Sequence, residues 1–72
     1  MDKIEIDAKD LRKAIDMGLA LNGMSNVDLA NKLGMAYQGI MRIKKDQSTT
    51  LPKLVELISI MGGQVIIRYP KN

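Results

Sequence analysis

Between residues 8 and 61 the apolar side chains recur every three or four positions, the period of helices that lie with one face on a core. Leu11, Ile15 and Leu19, with Ala14 and Gly18 beside them, predict a first helix over about 8–21, with Asp7 as its N-cap and Asp10 three residues on. Asn22-Gly23 tolerates positive φ and turns the chain. Ser25, with Asp28 in a loose capping box, opens a second helix over about 25–33, whose inner face is Val27, Leu29, Ala30 and Leu33. Gly34 ends it. Met35, Ile40 and Ile43 predict a third helix over about 36–44, closed by the polar run from Lys44 to Thr49. A fourth over about 50–61 follows, capped by Thr49 or Thr50, with Pro52 in the first turn and Leu54, Leu57, Ile58 and Met61 as its stripe.

The two ends of the chain follow a different period. Ile4 and Ile6 alternate with charged residues over about 3–6, and Gln64 to Tyr69 is a β-branched and aromatic run bounded by Gly62-Gly63 and Pro70, so each end predicts a short strand. Val65, Ile67 and Tyr69 share one face of the second strand and Ile66 takes the other. A strand this apolar must pair with residues 4–6, with a second copy or with a partner chain. The expected fold class is therefore mainly α: one compact four-helix domain spanning 1–72, with a short strand at each terminus.

Composition narrows the chemistry. The 72 residues hold no Cys and no His, which removes disulfides, thiolate nucleophiles, imidazole bases and nearly all transition-metal sites. The eight carboxylates are scattered, with no phosphate-cradling Gly loop and no nucleophile–base couple, so the expectation is no enzyme, no cofactor, no metal and no small-molecule substrate. No apolar run is long enough to span a bilayer, and the start has neither the basic nor the apolar region of a signal peptide, so a cytoplasmic protein without a membrane partner is expected. Charge is uneven: residues 1–28 carry six acids and four bases, whereas residues 29–72 carry two acids and seven bases. The basic excess in the second part fits an anionic partner such as nucleic acid.

Helix two, a tight Gly-containing turn and helix three have the spacing of a helix-turn-helix, in which the second helix lies in the major groove. The stretch Gly23-Met24-Ser25-Asn26-Val27-Asp28-Leu29-Ala30-Asn31-Lys32-Leu33-Gly34-Met35, continuing to Ile40-Met41-Arg42-Ile43, resembles the Cro/cI-type (XRE) repressors of phages and bacteria, and the resemblance extends over about 10–62. It implies a lambda-repressor-like fold and a regulator of a temperate-phage lysis/lysogeny switch in the bacterial host cytoplasm, with double-stranded operator DNA as partner. Carried over by position, it implies that Asn26 bonds a phosphate, that Tyr37 and Gln38 open the recognition helix towards base edges, and that Arg42, Lys44 and Lys45 meet phosphates. Cro-type proteins commonly dimerise through a C-terminal strand, which here implies Val65, Ile66, Ile67 and Tyr69; homodimer, heteromer and pairing within one chain all fit an apolar strand.

Three positions depart from the family pattern. Ala36 stands where relatives place a capping Ser or Thr, Gly39 occupies an exposed position that relatives use for base contact, and Met41 replaces a small polar residue. A recognition face of Tyr37, Gly39 and Met41 would be apolar and adaptable, suited to protein as much as to DNA. The second expectation is therefore an antirepressor that docks this face on the cognate phage repressor. The small modulator-of-repression proteins of lactococcal phages are similar to the chain in size and layout. Met41 has two readings, exposure on that face or partial burial against helix four.

Overall fold

The computed structural model of the chain describes residues 10–66, and these form four helices with no strand among them. Helix α1 spans Leu11–Asn22, α2 Asn26–Leu33, α3 Tyr37–Asp46 and α4 Leu51–Ile60. α2 packs against both α3 and α4, and α1 packs against α3.

Local chemistry sets most of these boundaries. Ser25 is extended (φ −95°, ψ 168°), its Oγ accepts from the Asp28 N–H at 3.1 Å, and its own N–H donates to Asp28 Oδ2 at 2.9 Å. This reciprocal pair satisfies two donors that the first turn of α2 would otherwise leave free. The Ser25 backbone N–H, helped by its hydroxyl and by Lys32, holds the Asp28 carboxyl below its ordinary value of 3.8. A depressed carboxyl contributes stability above its unfolded pKa and loses it as the pH falls through the folded one. Thr50 starts α4 in the same manner, its Oγ1 accepting from the Lys53 N–H at 3.4 Å with Pro52 in the first turn.

α2 ends at Gly34 (φ 67°), where the Gly34 N–H reaches Asn31 O at 3.2 Å and the Met35 N–H reaches Ala30 O at 2.9 Å. The left-handed conformation excludes most side chains at that position and returns Met35 to the core. α1 and α4 end with the same two-bond closure at Gly23 and Gly62.

The start of α1 departs from the expected helix over 8–21. It begins at Leu11, and Asp10 makes no side-chain capping bond. The Arg12 N–H is met instead by Gln47 Oε1 at 3.4 Å, from the residue that ends α3. Asp7, Ala8 and Lys9 lie outside the described residues. Gln47 is also the single non-glycine residue with positive φ (51°) among those described. Relief of that conformation by Gln47→Gly is worth about 1 kcal/mol, and the exposed 3.4 Å bond it removes returns at most about half of that. Gln47→Gly is therefore expected to raise the urea midpoint slightly, by about 0.5 kcal/mol of stability.

The core is a single cluster: Ile15 and Leu19 from α1, Leu29, Ala30 and Leu33 from α2, Ile40 and Ile43 from α3, and Leu57 and Met61 from α4 and its end. Ile15, Leu29, Ile40 and Leu57 have no exposed surface. Each contributes about 1.5–3 kcal/mol by leaving water. Gly18 lets α1 approach the end of α4 closely, since a Cβ there would stand 2.7 Å from Met61 Sδ. Asn22 fastens the same junction, its Nδ2 donating to Gly18 O and to Met61 O, both at 2.7 Å.

The C-terminal strand expected over 64–69 does not form in its described part. Gln64 to Ile66 are irregular, with Val65 half-buried and Ile66 59% exposed. Strand propensity reflects packing against a paired neighbour, and no described segment pairs with these residues. The rest of that strand, Ile67 to Tyr69, and the first strand over 3–6 lie outside the described residues.

Candidate functional site

α3 follows α2 after three residues, Gly34 to Ala36, and the two helices pack on each other. Its inward face is Ile40, Ile43 and Lys44. At 100° per residue the opposite face is centred on Gln38, Arg42 and Lys45, spaced i, i+4 and i+7, and all three are exposed. Tyr37 flanks them at 44% exposure and Asp46 lies exposed at the far edge. Ala36, at the N-cap, makes no side-chain bond to the first turn. The first-turn N–H groups of α3 are therefore uncapped by a side chain.

This arrangement corrects the apolar face read from Tyr37, Gly39 and Met41. Tyr37 and Met41, four residues apart, lie along one flank of the helix, whereas Gly39 falls on the opposite flank, so the three do not form one face. Gly39 is half-buried, and a Cβ placed on it would stand 2.9 Å from Met35 Cε. Met41 is half-buried too. The outer surface of α3 is consequently polar and basic along its centre, with apolar area limited to its flank.

Lys44 is also corrected. Expected to reach a phosphate from the surface, it is 6% exposed, and its Nζ pairs with Asp16 Oδ1 at 2.5 Å and donates to Asn26 Oδ1 at 3.2 Å. An ammonium group leaves water only when paired and hydrogen-bonded, and Asp16 and Asn26 supply both conditions. Sequence reading missed Asp16 as a partner. The available signal was that Lys44 falls four residues after Ile40, on the buried stripe of α3, while Asp16 follows the buried Ile15 on α1.

Asn26 is the first residue of α2, half-buried, with its carbonyl oxygen engaged by Lys44. It therefore lies on a different helix from the exposed set of α3, linked to the end of α3 through Lys44. Between α1 and the C-terminal end of α3 is a shallow open depression lined by Asp10, Arg12, Lys13, Asp16, Lys44, Lys45 and Gln47. Arg12 stands 3.9 Å from Asp16 one turn along α1 at its rim, so the charges there are mixed. Of the expected strand-pairing residues, Val65 and Ile66 are irregular and Ile67 and Tyr69 lie outside the described residues.

Among the described residues no three His, Cys, Asp or Glu side chains gather in a way that would hold a metal ion, and no helix is long and apolar enough to cross a membrane. No family model matches the chain, and no curated protein or solved structure does either.

Proposed function

We propose that the chain is a helix-turn-helix DNA-binding domain of the Cro/cI type and acts as a small transcription regulator of a temperate-phage switch. The observation that carries this reading is the exposed row Gln38, Arg42 and Lys45 on α3, a helix attached to α2 by a three-residue turn. Such a row offers what a major groove accepts. The Gln38 amide can form paired bonds to adenine N6 and N7, and Arg42 and Lys45 can neutralise phosphates beside it. Asn26 would bond a phosphate at the start of α2, where its amide nitrogen is the group left to donate. Repression would follow from occupying an operator and excluding polymerase or a competing repressor. Dimerisation through residues 64–69 would set two recognition helices about 34 Å apart, one helical turn of DNA.

A second reading is favoured by one observation, the partly exposed Tyr37 beside the half-buried Met41 on the same helix. An aromatic and a thioether at the rim of a polar face can anchor a protein partner, here the cognate phage repressor in an antirepressor complex.

The double substitution Tyr37→Ala, Gln38→Ala separates the two. For an operator reader, discrimination between operator and unrelated duplex is expected to fall roughly tenfold or more while non-specific binding persists. Unchanged discrimination would refute base reading by α3. If instead only the repressor is bound, and Met41→Asp abolishes that binding, the antirepressor reading stands.

A further inference from the structure

A buried lysine is costly, and at this site a methionine would fill the same slot without a charge. The structure nevertheless carries an ordered chain of contacts at Lys44. Arg12 faces Asp16 on α1, Asp16 pairs with Lys44 on α3, and Lys44 holds Asn26 on α2. We propose that Lys44 is a positioning residue: anchored by Asp16, it holds the oxygen end of the Asn26 amide, so that Asn26 turns its N–H donors to a ligand.

The chemistry of an amide explains why this matters. A free Asn side chain offers one acceptor and two donors and can turn either end towards a ligand. With Oδ1 held on an ammonium group the amide can no longer turn over, so Nδ2 is the end left for a ligand and the residue favours an acceptor such as a phosphate oxygen. The lock also joins all three helices at the place where the end of α3 meets the start of α2, so the orientation of the donor is tied to the placement of the recognition helix. Lys44 thus acts without touching the ligand. This inference rests on the DNA-binding reading of α2 and α3.

The test is a double-mutant cycle on duplex DNA affinity with Lys44→Met and Asn26→Ala, each variant first checked for a cooperative thermal transition. Each single change is expected to weaken binding roughly tenfold, and the double variant to bind no more weakly than either single one. The salt dependence of Lys44→Met should keep the wild-type slope, since Lys44 itself neutralises no phosphate. Additive effects of the two changes, wild-type affinity in Lys44→Met, or a slope reduced by about one would each overturn the proposal, the last because Lys44 would then be touching a phosphate itself. Should Lys44→Met not fold, Asp16→Asn replaces it in the cycle with the same expectations, because it removes the anchor from the exposed side. If the wild-type chain binds no duplex, the DNA reading fails by itself. The positioning proposal is then decided by NMR. One fixed Asn26 side-chain amide with a nuclear Overhauser contact to the Lys44 Hε protons supports it, and a rotationally averaged amide without that contact overturns it.

Discussion

Ile40→Ala is expected to cost about 2–5 kcal/mol and to lower the urea midpoint sharply, the amount that truncating a buried aliphatic residue costs elsewhere. Ile40 has no exposed surface and sits in the middle of α3, on the face that meets the rest of the core. The cavity has few ways to collapse, because α3 is also held at both ends, by the Gly34 turn and by the Lys44 pair with Asp16 and Asn26. A domain of this length has about 4–11 kcal/mol in total, so one such change takes a large share of it. Urea unfolding followed by far-UV circular dichroism checks this, with Ile40→Val as the graded control at about 0.5–1.5 kcal/mol. Equal midpoints for Ile40→Ala and the wild type would mean that α3 is not packed on this core.

The joint substitution Arg42→Ala, Lys45→Ala is expected to weaken binding to any duplex by roughly 10- to 100-fold and to reduce the salt slope by about two, one for each phosphate no longer neutralised. Both side chains are exposed on the outer row of α3, away from the buried stripe, so the fold should be unaffected. The effect should be uniform across DNA sequences, because phosphate contacts position the protein and carry no base information. That uniformity sets these two residues apart from Gln38, whose removal should act on sequence preference. Fluorescence anisotropy at several salt concentrations reads affinity and slope together. An unchanged slope would show that neither base meets a phosphate.

Much of the fold can be read from the sequence because its boundaries are local. Ser25 with Asp28, Thr50 with Pro52, and Gly34 each act within one turn, and the stripes Ile15–Leu19, Leu29–Leu33 and Ile40–Ile43 declare their faces by spacing. Val27, by contrast, expected on the inner face of α2, is 51% exposed because it precedes Leu29 by two residues and so turns away from it. The start of α1 cannot be read this way, since the group that meets the Arg12 N–H is Gln47, 35 residues away. Gln47 itself gives no sign of its positive φ, because that conformation is expected of Gly or Asn. Lys44 escapes a sequence reading for a related reason. Charge suggests surface, and only the packing of α1 on α3 brings Asp16 to it. The outer row of α3 is legible in principle, since Gln38, Arg42 and Lys45 share a helical face that positions 37, 39 and 41 do not. The C-terminal run shows the limit of β-propensity, which describes Val65 and Ile66 well although they form no strand with any described segment.

The most direct test of the central claim is an NMR titration of the wild-type chain, alone, with a duplex at about 50 mM salt, mapping which backbone amides move. The account predicts that Tyr37 to Lys45 and Asn26 shift, that α4 does not, and that raising the salt to about 200 mM reverses the shifts. Amides that stay still throughout, or shifts confined to the exposed Leu51 and Val55 of α4, would contradict it.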